Sequence, residues 1–306
     1  IIDELHKNAY TGSISVSSLN ETEPMVSGTS YTSYLLNKYG EVYGWGKNNY
    51  GMLGSKKYKL FEPFPVKLPF IEPIKYLLSD DEHGIALSVS NTVYTWGNNF
   101  EGPLMTTFNN YTYNPNYIQP LDFTLFDGEI SNVFIGQDVS AVLTSTNKMY
   151  TAGWNGYTPV YGNMKGGGGG PVPTLITPPS GCTWVYYTGG HRVGSFIDSL
   201  GRIHMTGYNY NNALFSGSGA SFTLTPYLII QPSVTFVKVS IHNTTALALT
   251  DTGNVYAWGR GYKIPFATST TSLIGSPTQF FVNNCPVKDI TNHDEVSRFL
   301  FTNGEL

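Results

Sequence analysis

Charged residues are scarce in this chain of 306 residues, at 12% of the sequence, about half the usual fraction. The formal net charge is −4, and no run of Lys or Arg occurs. Because nucleic-acid affinity comes mostly from clustered cations, this sparse charge argues against a surface that tracks phosphates. Gly, Tyr, Asn, Thr and Ser are abundant instead, which is typical of an all-β protein with many turns and favours an extracellular or particle-surface location.

Long apolar runs and a leader sequence are also missing. No window of roughly 18 consecutive residues is wholly apolar, so no membrane span is predicted. The chain begins at Ile1 with no Met and no charged-then-apolar leader, from which we expect a processed chain or an excised part of a longer one.

Cysteine is limited to Cys182 and Cys285. These lie nine residues before His191 and Asp294, which align in the repeat described below. The two thiols thus occupy equivalent sites two repeats apart, whereas a disulfide needs Cα atoms within about 7 Å. We expect two separate, buried thiols that act as small apolar core residues.

Catalytic motifs are absent too. The sequence has no nucleophile-elbow motif, no repeated pair of carboxylates and no metal-hydrolase motif. We therefore predict a protein that is not an enzyme and needs no cofactor or metal.

What the chain does contain is an internal repeat. Leu36 to Gly46 reads as an apolar strand, a tight turn and a second strand ending in Trp-Gly, and a glycine-rich loop follows. The turn recurs with spacings of 51, 56, 54, 52 and 51 residues, at Gly40, Asn91, Asn147, Gly201, Gly253 and Gly304. A period near 50 residues indicates a β-propeller.

Two segments look like connections between these units. The first is a proline-rich connection to the next strand, marked by Pro63, Pro65, Pro69 and Pro73. Gly166 to Gly170 is interpreted as a flexible surface loop.

The two ends of the chain carry partial repeats. Residues 1–28 contain Ala9-Tyr10-Thr11-Gly12, which is similar to Tyr150-Thr151-Ala152-Gly153, and the last copy stops at Gly304-Glu305-Leu306. We predict one domain over residues 1–306 with about six blades, in which 1–28 and 287–306 share the closing blade. Alternatively, the terminal half-blades pair between chains, which would produce self-assembly.

The repeat carries a family resemblance. Its series of apolar strand, turn, Val-Tyr-x-Trp-Gly and x-Asn-x-x-Gly-x-Leu-Gly resembles the repeat of the regulator of chromosome condensation family, over essentially residues 25–306. The match is strong around Trp45, Trp96 and Trp258 and weaker where Ala152 and Thr206 replace the Trp. The resemblance implies four-stranded blades. Family members commonly have seven blades, so a seven-bladed propeller is the alternative to one of about six blades.

Recurrent residues within the repeat are first interpreted as structural. The loop after Trp-Gly carries an asparagine in four copies, for which we predict a turn role: Asn48, Asn99, Asn155 and Asn209. The tryptophans Trp45, Trp96 and Trp258 are predicted to pack in the core.

One aromatic residue per repeat lies beside those turns. A propeller would gather them on one rim, so we predict that they bind a protein or glycan partner: Tyr50, Phe100, Tyr157, Tyr210 and Tyr262. The alternative is that they pack between adjacent blades.

Three histidines, His191, His242 and His293, fall in the loop before the same strand in three successive repeats, and His83 lies a little further along its own copy. No carboxylate or thiol recurs with them at ligand spacing, so we interpret them as solvated loop histidines and not as a metal site.

Three glycosylation sequons are present, at Asn20, Asn110 and Asn243. Sequons arise readily by chance in a chain this rich in Asn and Thr, and both glycan attachment and chance remain open at this point.

These observations predict a non-enzymatic propeller, displayed on a cell, particle or filament surface, whose rim loops bind a protein or glycan. The resemblance implies two alternatives: a guanine-nucleotide exchange factor that regulates a small GTPase, and a secreted protein inhibitor. Exchange factors of this family usually occupy a nuclear, basic setting, which this acidic chain lacks.

Overall fold

The structure is a computed structural model that describes residues 22–54, 60–100, 102–106, 118–153, 170–190, 193–209, 222–229, 233–242, 244–260, 273–280, 285–293 and 296–305. Within these ranges the chain forms 22 β-strands and two short 3-10 turns, Asn49–Gly51 and Phe123–Leu125. The predicted all-β class is confirmed.

The strands form six antiparallel sheets in chain order, which we call blades 1 to 6. Blade 1 contains β1 (Met25–Gly28), β2 (Thr32–Leu36), β3 (Val42–Lys47) and β4 (Phe61–Lys67); blade 2 contains β5 (Ile74–Ser79), β6 (His83–Ser88), β7 (Val93–Gly97) and β8 (Gln119–Pro120). Blade 3 contains β9 (Ile130–Gly136), β10 (Val139–Thr144), β11 (Met149–Gly153) and β12 (Gly170–Ile176); blade 4 contains β13 (Trp184–Gly190), β14 (Val193–Asp198), β15 (Ile203–Tyr208) and β16 (Phe222–Leu228). Blade 5 contains β17 (Phe236–His242), β18 (Thr245–Thr250), β19 (Val255–Arg260) and β20 (Leu273–Phe280); blade 6 contains β21 (Val287–His293) and β22 (Val296–Phe301).

Consecutive blades are joined through their first strands, which contact each other from β1 and β5 through to β17 and β21. Five blades have four strands, and blade 6 has two within the described residues. This succession of radially packed four-stranded sheets is a β-propeller, so the predicted fold and its count of about six repeats are confirmed.

The turn between the second and third strands has the backbone that the repeat predicts. All six predicted turn residues have positive φ angles, from 60° at Asn147 to 88° at Gly304. Glycine and asparagine tolerate this left-handed conformation better than other residues. At Gly40 the constraint is also steric, since an added Cβ would lie 2.5 Å from the Cβ of Pro73.

Proline marks the fourth strand of every complete blade, and the interpretation of Pro63 and Pro65 as part of a connection is wrong. Both lie in β4, where the pairing shifts between Gly44–Val66 and Gly46–Glu62. The other fourth-strand prolines are Pro120, Pro171, Pro173, Pro226 and Pro277. A fourth strand pairs on one side only, so proline, which lacks a backbone N–H, is tolerated there. The absent donor also prevents the exposed edge of that strand from pairing with another chain. Gly170 likewise begins β12, and residues 166–169 lie outside the described ranges.

The last residues of the N-terminal segment that we predict to share the closing blade belong to blade 1 instead. Met25–Gly28 is the first strand of blade 1, where it pairs with Thr32–Leu36. The predicted limit at residue 28 is therefore too late. Because residues 1–21 lie outside the described ranges, their sharing of blade 6 with 287–306, or pairing between chains, stays a prediction.

Tryptophan fills the space between neighbouring blades. Trp96 of blade 2 is 1% exposed and lies edge-on to Tyr34 and Phe70 of the preceding blade unit, with ring centroids 6.0 and 5.5 Å away. Trp258 is fully buried. The predicted core role is confirmed for these two residues, whereas Trp45 in blade 1 is only half-buried.

Candidate functional site

Loops from three blades meet on one rim and enclose a small cavity. In each blade the connections from first to second and from third to fourth strand leave on the same side, because neighbouring strands are antiparallel. Such loops enclose about 280 Å³, which we call the rim cavity. Blade 1 contributes Tyr31, Lys47 and Tyr50, blade 2 contributes Asp80, Asp81 and Glu82, and blade 3 contributes Asp138.

The loop between β3 and β4 is shaped by the predicted asparagine. Asn48 is buried, and its side-chain oxygen accepts a hydrogen bond from the backbone N–H of Leu53 at 2.8 Å. Asn99 in blade 2 accepts from the N–H of Leu104 at 3.1 Å in the same way. The predicted turn role of these two asparagines is confirmed. Asn209 is also buried, and Asn155 lies outside the described residues.

The two described aromatic candidates occupy different places on this rim. Tyr50 lines the cavity with an unfavourable positive φ of 60°. Phe100 is 54% exposed and lies one residue after Asn99, whereas Tyr50 lies two residues after Asn48. The two rings are therefore not equivalent positions of the repeat. The candidates Tyr157, Tyr210 and Tyr262 lie outside the described residues.

Charge in the rim cavity is mostly negative, with four carboxylates against the ammonium of Lys47. A carboxylate oxygen of Asp81 accepts from the backbone N–H of Ser30 at 2.9 Å. Lys47 Nζ lies 3.9 Å from the centre of the Tyr31 ring, a cation–π contact. The cavity thus combines a surplus of negative charge with an aromatic wall.

A group of three side chains connects the cavity wall at half-buried Asp80 to the fully buried His83 and Ser140. Asp80 Oδ2 lies 2.8 Å from His83 Nδ1, and His83 Nε2 lies 3.0 Å from Ser140 Oγ. Asp80 also accepts hydrogen bonds from the backbone N–H groups of Glu82, His83 and Asp138 at 2.8, 2.6 and 2.9 Å. Burial acts to raise the pKa of Asp80, but the His83 side chain and the backbone N–H groups of His83 and Asp138 outweigh it and hold the pKa below its ordinary value.

The order Asp, His, Ser has the contacts of a hydrolase triad, but its surroundings do not suit catalysis. His83 and Ser140 are both 0% exposed, so an electrophile has no approach to the hydroxyl. The group instead ties blade 2 to blade 3. The interpretation of His83 as a solvated loop residue is therefore wrong, and the local signal that was missed is the Asp80-x-x-His83 spacing.

A fully buried carboxylate, that of Asp198, lies at the turn between β14 and β15, on the opposite face. Asp198 Oδ2 is 2.7 Å from Arg202 Nη2 and 2.8 Å from His204 Nε2. Burial lowers the pKa of His204 below its ordinary value, and the opposing effect of Asp198 is smaller. Because a carboxylate oxygen only accepts hydrogen bonds, the Nε2–H of His204 is the donor in this contact. Asp198 keeps a lowered pKa because Arg202 and His204 outweigh its own burial.

This arrangement sets a pH dependence of stability. Because the folded pKa of His204 is below its unfolded value of about 6.5, its contribution is complete above that pH and is lost as the pH falls towards the folded pKa. We expect the free energy of unfolding to fall between pH 7.5 and 5.5, and to fall less in His204→Gln. Urea titrations at the two pH values measure this difference, and equal decreases in both proteins would contradict it.

Several other predicted residues have mixed outcomes. Cys182 and Cys285 are separate free thiols, as predicted, but both are half-buried, so their expected burial is wrong. Their sulfurs contact polar groups: Arg202 Nη2 at 3.1 Å and Thr302 Oγ1 at 3.3 Å, respectively. His242 and His293 end β17 and β21, and their side chains lie outside what the structure describes. His191 and the sequon residues Asn20, Asn110 and Asn243 also lie outside it.

The described residues contain no group of three or more His, Cys, Asp or Glu side chains placed to hold a metal ion. They also contain no helix of the length and apolar character needed to span a membrane.

Comparison with known proteins gives a repeat family. Residues 39–87 match the model of the regulator of chromosome condensation (RCC1) repeat. The rat probable E3 ubiquitin-protein ligase HERC4 is 29% identical over 190 residues, which are 61% of this chain and 18% of that protein. The Arabidopsis thaliana ultraviolet-B receptor UVR8 is 28% identical over 232 residues, 72% of this chain and 49% of the receptor. The chain therefore spans from about a fifth to about half of the length of these relatives.

Solved structures agree on the fold. Human WBSCR16 superposes with a TM-score of 0.75 at 19% identity, covering 94% of this chain and 75% of that one. Saccharomyces cerevisiae Prp20p superposes with a TM-score of 0.71 at 18% identity, covering 87% and 66%.

The fold and the loop-lined rim define a β-propeller of four-stranded blades. It is an RCC1-like propeller, as the resemblance implies, with a repeat of the regulator of chromosome condensation family at residues 39–87.

Proposed function

We propose that this propeller is a non-enzymatic binding module that uses the rim around Tyr50 and Phe100 to hold a protein partner. The observation that carries the proposal is the rim cavity itself, where loops of three blades converge and Tyr50 keeps a strained backbone. Backbone strain of this kind persists where the surrounding structure enforces it, and it is concentrated at binding sites. Exposed aromatic residues such as Phe100 are typical interface anchors.

The relatives support a protein as the partner class. Yeast Prp20p was described together with its binding properties to Gsp1p and histones, and yeast RCC1 (Prp20) was solved bound to Kap60. These are properties of those proteins, and we extend only the class of partner to this chain. A glycan partner, self-assembly, glycosylation and the surface location that composition favours receive no support from the comparisons, and an intracellular location is compatible with them.

The rim assignment is tested by removing both rings without disturbing the fold. Tyr50→Gly removes one ring at a backbone conformation that glycine prefers, so it adds no strain, and Phe100→Ala removes the other. We expect the double variant to unfold at the wild-type denaturant midpoint and to bind the partner at least about tenfold more weakly, since anchor residues contribute more than about 1.4 kcal/mol. Affinity purification from the native source identifies the partner, and calorimetry with the purified partner measures the dissociation constant.

The matched control is Tyr39→Ala. Tyr39 is 52% exposed and lies at the turn between β2 and β3, on the opposite face. Its removal is expected to leave the dissociation constant unchanged. A double variant that folds and binds as tightly as the wild type would overturn the rim assignment.

Exchange-factor activity, which the family resemblance implies, remains the second candidate, because residues 39–87 match the RCC1 repeat. An exchange factor accelerates nucleotide release from a small GTPase, whereas a simple binding module does not. Release of a fluorescent guanine nucleotide from a panel of purified small GTPases distinguishes an exchange factor from a simple binding module. A large acceleration of release by the propeller would favour the exchange factor and contradict our proposal.

A further inference from the structure

We propose that an uncovered apolar face of blade 1 binds residues 9–19 of the same chain, which form there the outer strand and the connector of the closing blade. The proposal goes beyond the binding role of the rim and does not depend on it. It rests on contacts that the described blades make with their neighbours and that blade 1 lacks on one side.

The first strand of blade 1 exposes a side chain whose counterparts are buried in all other blades. Val26 is 70% exposed, whereas the residues paired in the same register in blades 2 to 6 are at most 1% exposed: Leu77, Val133, Tyr187, Val239 and Ile290. Val26 lies opposite Leu35, and Leu35 lies opposite Tyr43, so these three side chains share one face of the sheet. Leu35 and Tyr43 are half-buried. We call this surface the uncovered face.

The turn of blade 6 shows the same open junction from the other side. At Gly40, Gly201 and Gly253, an added Cβ would lie 2.5 to 2.6 Å from the residue that leads into the next blade: Pro73, Thr235 and Pro286. At Gly304 an added Cβ would meet nothing within 4 Å. Within the described residues, the junction between blades 6 and 1 therefore lacks the contacts of these other junctions.

Strand pairing fixes which residues should cover the outer part of the uncovered face. Met25, Tyr76 and Asp289 occupy one position of their first strands, because each lies opposite a leucine of the second strand: Leu36, Leu87 and Leu300. The preceding fourth strand, β4 or β20, ends nine residues before Tyr76 or Asp289. The residue nine before Met25 is Val16. Since β4 has seven residues and β20 has eight, the corresponding strand is residues 9–16.

The sequence of residues 9–16 suits that position. Tyr10, Ile14 and Val16 alternate with Thr and Ser, which is the pattern of a strand with one apolar side. Ala9-Tyr10-Thr11-Gly12 is similar in sequence to a third strand, but the register of the blades assigns it to a fourth strand. The covering of the face therefore begins at the outer edge of the closing blade.

The connectors between blades supply the most specific contact. Phe70 packs edge-on against Tyr94 of the following blade, with ring centroids 5.4 Å apart, and Phe126 packs in the same way against Tyr150 at 5.3 Å. In both cases a connector residue covers the tyrosine at the second position of the next third strand. The corresponding tyrosine of blade 1 is Tyr43.

The partner of Tyr43 follows from the same register. Phe70 lies six residues before Tyr76, and Phe126 lies six residues before Asn132, which is the equivalent position of blade 3. The residue six before Met25 is Leu19. Leu19 is therefore the side chain that should pack on Tyr43.

The tether decides between this segment and a second copy of the chain. Thr22 is held on blade 1, where its N–H donates to the carbonyl of Lys38 at 3.1 Å and its hydroxyl donates to the carbonyl of Asn37 at 3.0 Å. Three peptide units separate Leu19 from Thr22, so their Cα atoms lie within about 11 Å of each other. A segment tethered so closely has an effective concentration in the millimolar range or above, which a second copy in dilute solution does not reach.

The test is a nuclear Overhauser contact between the methyl groups of Leu19 and the ring of Tyr43. Methyl-labelled leucine and ring-labelled tyrosine are introduced together, and the Leu19 resonances are identified by their loss in Leu19→Ala. We expect the contact in the doubly labelled protein. In a mixture of singly labelled chains, unfolded and refolded together, we expect no contact, because both side chains belong to one molecule.

Stability supplies a second measurement with a matched control. Leu19→Ala is expected to lower the urea midpoint by about 0.5 M or more, because it removes a packed side chain. Leu5→Ala makes the same change outside residues 9–19 and is expected to keep the wild-type midpoint. In the double variant Leu19→Ala, Tyr43→Ala, the decrease should be smaller than the sum of the two single decreases, since the two side chains share one contact.

The outcomes separate the occupants of the face. A contact that appears in the mixture of singly labelled chains would show that a second copy covers blade 1, and it would overturn the proposal. Absence of the contact in the doubly labelled protein would overturn it as well, and so would equal midpoints for Leu19→Ala and Leu5→Ala.

Discussion

Replacing Trp96 with alanine is expected to lower the free energy of unfolding by about 3–5 kcal/mol, the cost of truncating a large buried ring. The indole is 1% exposed and covers Gly84, where an added Cβ would lie 2.2 Å from a ring carbon. Its Nε1–H donates to the backbone carbonyl of Met52 at 2.9 Å, and that carbonyl also accepts from the hydroxyl of Tyr34 at 2.6 Å. Removal of the ring therefore loses packing between blades 1 and 2 and a hydrogen bond to the rim loop.

Trp45→Ala is the control, since Trp45 is the corresponding residue of blade 1 but is only half-buried. Its loss is expected to cost clearly less than that of Trp96. Guanidinium unfolding followed by circular dichroism measures both. Equal losses for the two variants, or a loss below about 1 kcal/mol for Trp96→Ala, would show that the inter-blade contact does not stabilise the fold as described.

Asp80→Ala is expected to be similarly damaging, with a loss of about 3–5 kcal/mol. The substitution leaves the backbone N–H groups of Glu82, His83 and Asp138 without their acceptor and His83 without its charged partner. Because Asp80, Glu82 and Asp138 line the rim cavity, binding of the partner is expected to weaken together with stability.

The acid side of the stability profile provides the check on Asp80. A carboxyl with a lowered folded pKa stabilises the protein fully above its unfolded pKa of about 3.9, and this contribution is lost as the pH falls through the folded value. Asp80→Asn keeps one oxygen acceptor but no charge, so its loss at pH 7 should be smaller than that of Asp80→Ala and its stability should change less between pH 5 and pH 2. Indistinguishable acid profiles for Asp80→Asn and the wild type would contradict the proposed role of the charge.

The repeat made most of the fold predictable. A left-handed turn favours glycine or asparagine, so Gly40, Asn91 and their four counterparts predict the turn that follows the second strand of each blade. The Trp-Gly pairs identified the third strands, and Asn48 and Asn99 identified the loops that form the rim. Each of these signals is local, because the residue type is required by the backbone conformation at that position.

What the sequence did not show depends on contacts between distant residues. By propensity alone, Pro63 and Pro65 indicate a loop. They are tolerated in β4 because β4 is the outer strand of its blade and pairs on one side only. That position in the blade cannot be deduced from the local sequence. The sequence predicts a solvated loop position for His83, because the partner that buries it, Ser140, is 57 residues away and cannot be recognised from the local pattern. The rim cavity is likewise not predictable from the sequence, because its walls come from three different blades. Among its lining residues, the sequence identifies only Tyr50 as a binding candidate.

The measurement that tests the account most directly is hydrogen exchange of the propeller with and without its purified partner. If the rim binds the partner, the complex should protect amides in the connections that surround the cavity, at residues 48–54, 80–82 and 137–138. Protection confined to the turns of the opposite face, around Gly40, Asn91 and Asn147, would contradict it.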